Sequence, residues 1–172
     1  MTYGELRDTI NIGIETIRKL HMVTLTLKAI DSSNWRTAIK LDVHPDQQNF
    51  VAPNVRSLAQ AHYDDEFKGK VTAYGLYDDE IMVGFTLVGN DPDDPIFYIL
   101  RFMIGADYQR KGYGRAGMLA ILALAKANPQ FTTVRLSYVP DNVGAKALYA
   151  SVGFSELGIK EEWGEMEAER LL

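Results

Sequence analysis

The chain has 172 residues and no cysteine. That absence excludes disulfides, thiolate metal sites and a protein thiol nucleophile. Histidine is scarce. His21, His44 and His62 lie far apart without metal-ligand spacing, so no metal is expected. No apolar run approaches the roughly 20 residues that a membrane span needs. Glu5, Arg7 and Asp8 are followed by no continuous apolar stretch, so no signal peptide is expected and the cytoplasm is the default location. Repeats and low-complexity segments are lacking. Positive charge is also in deficit, with 18 Lys and Arg against 23 Asp and Glu. The net charge of −5 argues against nucleic acid and leaves room for a small cationic partner. Apolar residues make up 47% of the chain, enough to build the core of one domain.

Against this acidic background, Arg110, Lys111 and Arg115 crowd cations around one turn, Gln109-Arg110-Lys111-Gly112-Tyr113-Gly114. An apolar strand-like run, Ile96 to Ile104, precedes it, and a helical run, Tyr113 to Ala127, follows. Strand, basic glycine turn and helix form the arrangement that holds a phosphate. Glycine allows close backbone approach and positive φ. The first N–H groups of the helix lack intrahelical acceptors, and the helix dipole adds positive charge there. The stretch from Gly112 to Gly117 also spells G-x-G-x-x-G, but a dinucleotide site requires an acid at the end of the next strand. None occurs between Thr132 and Tyr138.

Periodicity supplies the remaining elements. Leu6, Ile10, Ile14, Ile17 and Leu20 predict an amphipathic helix over residues 3–20. Alternation at Val23, Leu25 and Leu27 predicts a strand. Trp35 to Leu41 reads as a short helix. Asn54 is expected to cap another, with Val55, Leu58, Ala59 and His62 on one face. Val71–Tyr77 and Ile81–Gly89 read as a hairpin turning at Asp78-Asp79-Glu80. Val134–Val139 is a strand, and Asn142 opens a helix that Gly153 closes. Phe154–Ile159 and Glu165–Leu171 end the chain as strands. Short turns in the first half and helical connections in the second predict a mixed sheet covered by helices, an α/β fold.

Two motifs now resemble the GNAT superfamily of acetyl-CoA-dependent N-acetyltransferases. Gln109 to Gly114 matches its Q/R-x-x-G-x-G/A pyrophosphate loop. Asn142-x-x-Ala145-x-x-x-Tyr149-x-x-x-Gly153-Phe154 matches its second signature. Asn49-Phe50-Val51-Ala52-Pro53-Asn54 and Arg101-Phe102-Met103-Ile104 are similar to the bacterial diamine/spermidine acetyltransferases. The resemblance covers roughly Val23 to Leu172. It implies a mostly antiparallel sheet with splayed central strands, in one domain of residues 22–172 behind a helical extension, 1–21. Acetyl-CoA would be the cosubstrate. Its pantetheine arm would lie along Phe102, Met103 and Ile104. Its pyrophosphate would sit on Gln109, Arg110, Lys111, Gly112, Tyr113, Gly114 and Arg115. Asn142 and Ala145 would lie near the arm, and Tyr149 would face the thioester sulfur as proton donor. The acceptor would be a polyamine or diamine. The alternatives are another small amine, a protein N-terminus, or a sensor that binds acetyl-CoA without catalysis.

A chain without cysteine favours direct attack by the amine. A thiol pKa near 8.5 lies below a tyrosine pKa near 10, so proton transfer from Tyr149 is slightly uphill, while a hydrogen bond to the departing thiolate still helps. Backbone donors along Phe102–Ile104 can hold the oxyanion. The eukaryotic spermidine/spermine enzymes carry acids in the strand that here reads Tyr98-Ile99-Leu100-Arg101. Leu100 and Arg101 occupy those places, so no general base carries over. For cation binding, Tyr63, Asp64 and Glu66 form one candidate cluster, and the acids from Glu161 to Glu169 form a second. The apolar face of the N-terminal helix must be covered, and a homodimer is one way to cover it.

Overall fold

The computed structural model describes residues 23–64 and 70–172. The helix expected over 3–20 and the candidate Glu66 lie outside the described residues. The described elements are β1 (Thr26–Ala29), α1 (Trp35–Ala38), α2 (Asn54–Tyr63), β2 (Val71–Asp78), β3 (Ile81–Asn90), β4 (Ile96–Ile104), α3 (Tyr113–Lys126), β5 (Thr133–Tyr138), α4 (Val143–Ser151), β6 (Ser155–Lys160) and β7 (Glu165–Leu171). Single 3-10 turns occur at Pro45–Gln47 and Ala106–Tyr108. Among the described residues, no helix is long and apolar enough to cross a membrane.

Among the described residues, seven strands form one sheet in the order β1-β2-β3-β4-β5-β7-β6. Of these described strands only β4 and β5 pair in parallel, and α3 makes that crossover. The β2–β3 turn leaves two residues between the paired Asp78 and Ile81, and Asp79 takes φ +50°, a conformation that aspartate tolerates. Phe102 packs with the α3 cluster and its neighbour Met103 with the α1/α2 cluster. Neighbours on a strand point to opposite faces, so the helices cover both sides of the sheet. On the α3 side, Met118, Ile121, Leu122 and Ala125 meet Phe97, Ile99, Val134 and Leu136. A Cβ at Gly117 would stand 3.1 Å from the Phe102 ring, so this glycine lets α3 sit close to the sheet.

Two expectations need correction. The N-cap of α2 is Pro53, and Asn54 is the first helical residue. The Asn54 side chain is buried. Its Nδ2 donates to the Ala38 and Leu41 carbonyls at 2.9 and 3.4 Å, satisfying the end of α1, which stops at Ala38. The inward face of α2 is Asn54, Ser57, Leu58 and Ala61, while Val55, Ala59 and His62 are exposed. Buried polar residues with hydrogen-bond partners invert the apolar pattern there.

Candidate active site

The central strands part where β4 loses its register. Leu87 pairs with Arg101 but Val88 pairs with Ile99, so Leu100 is an extra residue, a β-bulge. A bulge bends its strand. Ile99–Leu136 is the last β4–β5 pair, and β5 continues beside β7 through Tyr138. The buried Thr86 hydroxyl donates to the Arg101 carbonyl at 2.7 Å, pinning β4 to β3 beyond the bulge. The edge of Leu100–Ile104 that faces β5 therefore has no strand partner among the described residues. A cleft of about 890 Å³ opens along it.

One wall of the cleft is the glycine turn. Arg110 at φ +63° and Gly112 at φ +86° put two left-handed residues into one tight bend. No side chain caps the start of α3. Its first N–H groups are thus left for a ligand or water. Arg110 and Gly114 line the cleft. The other cations are engaged elsewhere: Lys111 Nζ donates to the Asp107 carbonyl at 2.7 Å, and Arg115 holds the Ser151 carbonyl at 2.7 Å, joining α3 to the end of α4. The Tyr113 hydroxyl donates to Asp78, and that bond pushes the Tyr113 hydroxyl upward from the ordinary tyrosine value. Gln109 is a buttress. Its amide donates to the Ile104 carbonyl at 3.0 Å and pairs reciprocally with Gln47 at 2.8 and 3.1 Å. Gln47 carried no signal in the sequence, because its partner lies far along the chain.

A second wall is α4. Asn142 is its N-cap, with Oδ1 accepting from the Ala145 N–H at 3.0 Å. Two turns on, Tyr149 is 8% exposed and lines the cleft. Its ring meets Tyr138 and Phe154 at centroid distances of 5.5 and 6.0 Å. Burial pushes its hydroxyl well above the ordinary tyrosine value, and Tyr138 and Glu165 add to the shift. Among the described residues, that hydroxyl has no hydrogen-bond partner. It is a protonated donor on a residue that lines the cleft.

The cleft also gathers Arg56, Arg101, Ser137 and Glu165. Arg101 Nη1 donates to the Leu100 carbonyl at 2.6 Å, and its buried Nε has no partner among the described residues. Burial lowers the Arg101 guanidinium from the ordinary arginine value; Glu165 opposes that shift and Arg56 adds to it. The Ser137 hydroxyl donates to the Glu165 carboxylate. Residues 47–53, with Asn49 and Phe50, form the outer lining.

Phe102, Met103, Ile104, Gln109, Arg110, Gly114, Asn142, Ala145 and Tyr149 therefore meet around one cleft. Lys111, Gly112, Tyr113 and Arg115 stand behind its lining. Tyr63 and Asp64, at the end of α2, lie outside it, and Tyr63 is 79% exposed. Of the second acidic cluster, only Glu165 reaches the cleft. Glu167 pairs with Lys160 at 3.2 Å and Glu169 with Arg135 at 2.8 Å. An open strand edge, an uncapped helix start and a buried tyrosine donor suit a long phosphorylated ligand that reacts at its far end.

Comparison with known proteins bears on that chemistry. The acetyltransferase (GNAT) family model matches residues 27–154. The spermine/spermidine N(1)-acetyltransferase of Bacillus subtilis (strain 168) is 25% identical over 149 residues, which are 83% of this chain and 95% of that protein. The spermidine N-acetyltransferase of Vibrio cholerae, solved with CoA and spermine, superposes with a TM-score of 0.70 at 18% identity, over 86% of this chain and 95% of that one. The aminoglycoside acetyltransferase AAC(6')-Ib, solved with coenzyme A and kanamycin, gives 0.72 at 16% identity, over 86% and 95%. These superpositions share the mixed sheet and its flanking helices.

Proposed function

Because this chain belongs to the acetyltransferase (GNAT) family, we propose that it moves acetyl from acetyl-CoA to a primary amine of a small polyamine or diamine, by direct attack. The observation that carries this reading is the convergence, in one cleft, of the open Leu100–Ile104 edge, the Arg110–Gly114 turn and the Tyr149 hydroxyl. Acetyl-CoA, when bound, supplies an activated thioester. The residues present suit it: the start of α3 lacks a side-chain cap, two left-handed residues shape the bend, and the unpaired edge can bond a pantetheine amide like an added strand. Backbone N–H groups of Phe102–Ile104 would hold the developing oxyanion. Tyr149, kept protonated by burial, would donate to the departing sulfur. The Bacillus subtilis relative named above supports an amine of the polyamine class.

One observation favours a second reading of the acceptor. Among the described residues, Arg56 and Arg101 share the cleft with a single carboxylate, Glu165. A net positive pocket repels a polycation and suits an amine that also carries an anionic group. Thiol release from acetyl-CoA, followed with putrescine, spermidine, butylamine and a dipeptide, separates the readings. We expect putrescine or spermidine to exceed butylamine in kcat/KM. Equal butylamine and putrescine would end the polyamine reading, a preferred dipeptide would install the second one, and no release with any amine would end the enzyme reading.

A further inference from the structure

We propose that Glu165 is the general base of the reaction, the role that Leu100 and Arg101 leave vacant in β4. The inference rests on the acetyl-transfer reading and holds for either acceptor class. Glu165 is the one carboxylate among the described residues that line the cleft. It opens β7 just before the first β5–β7 pair, Tyr138–Met166, and the Tyr138 ring lies against Tyr149. The sheet therefore delivers Glu165 to the tyrosine end of the cleft. The Ser137 hydroxyl donates to its carboxylate and orients it. Its charge is felt at both Tyr149 and Arg101, so it lies within electrostatic reach of the donor and of the opposite wall. The neighbouring acids are spent on ion pairs or stand exposed on the β6–β7 turn.

A carboxylate near pKa 4.3 does not deprotonate an amine near 10.4 at equilibrium. The nitrogen becomes acidic only as its bond to the acetyl carbon forms, and a carboxylate at its side then suffices. The accounting closes. The N–C bond forms and the C–S bond breaks. One N–H proton passes to Glu165, and Tyr149 gives one to sulfur. Solvent then takes the proton from Glu165 and restores the one on Tyr149.

The charged and titratable groups facing Glu165 are Arg101 of β4 and Tyr149 of α4, with Arg56 of α2 beside Arg101, and Lys160 of β6, which lies opposite Glu165 in the β6–β7 register and ion-pairs with Glu167. Glu165→Gln keeps the shape and still accepts from Ser137. We expect it to lower kcat/KM about 100-fold or more at pH 7 for the best amine of the panel, with acetyl-CoA affinity and melting temperature unchanged. Without its base the variant depends on hydroxide. Its rate should keep climbing with pH where the wild-type rate has levelled, so the deficit narrows. Glu165→Asp should recover part of the loss. A Glu165→Gln rate within about twofold of wild type would overturn the proposal, as would a deficit constant across pH with a lowered melt. Wild-type protein inert toward every amine would overturn the acetyl-transfer reading as well.

Discussion

Tyr149 has two explanations at the scale of the single residue. Burial against Tyr138 and Phe154 makes it a core aromatic. Its place in the cleft lining, and a hydroxyl without a partner among the described residues, make it a donor. Tyr149→Phe separates the roles, because the ring survives and only the hydroxyl goes. Turnover should fall roughly 100-fold or more while calorimetric acetyl-CoA affinity holds. Wild-type turnover in that variant would remove Tyr149 from the chemistry. Since its folded pKa is raised, Tyr149 stays protonated up to and beyond pH 10. The wild-type rate should therefore rise with pH as the amine loses its proton, with no decline from Tyr149 below pH 10. Arg110 also stands out here. A left-handed arginine costs on the order of 1 kcal/mol or more, and such strain gathers at ligand sites.

The decisive element is the junction of β4 and α3. The bulge at Leu100 ends β4–β5 pairing, and the glycine turn then aims the start of α3 at the gap. Gly112→Asp tests the phosphate role. A Cβ there meets only Val23, at 3.8 Å, and aspartate is among the residues that tolerate a left-handed backbone, so the fold should persist. The added carboxylate would face the phosphates at the positive end of the helix. Charge effects there reach ~1–2 kcal/mol, so acetyl-CoA should bind roughly tenfold more weakly or worse. Unchanged affinity by calorimetry would show that the phosphates lie elsewhere.

For the whole molecule, tyrosines raised from their ordinary value link stability to alkaline pH, Tyr138 and Tyr149 most of all. Burial and a hydrogen bond to Glu156 push Tyr138 up to about 12, and burial lifts Tyr149 further. Both titrate near 10 in the unfolded chain. The folded state therefore holds more protons above pH 10, and its stability must fall as pH rises from there. Below about pH 9 the contribution is complete. Melting temperatures taken from pH 9 to 11 should drop, and Tyr138→Phe should drop less steeply. An equally steep fall in the variant would assign the effect to other groups.

The sequence by itself determined the order of the described elements, the bounds of β4, the glycine turn and the α4 signature. These follow from local rules: side-chain period, glycine where φ is positive, and an asparagine that caps its own helix. It also indicated which motifs should meet. Only the tertiary structure decided the rest. The point where the sheet opens depends on a bulge, which is a relation between two strands and leaves no mark on either alone. The inward face of α2 departs from the apolar period because Asn54 and Ser57 are polar yet buried, with partners supplied by distant backbone and by a neighbouring turn. The acids from Glu161 to Glu169 look equivalent as a run. Glu165, Glu167 and Glu169 share one face of β7, yet Glu167 and Glu169 meet Lys160 and Arg135 while Glu165, at the start of the strand, lines the cleft, because long-range pairing decides what lies over each position along a strand.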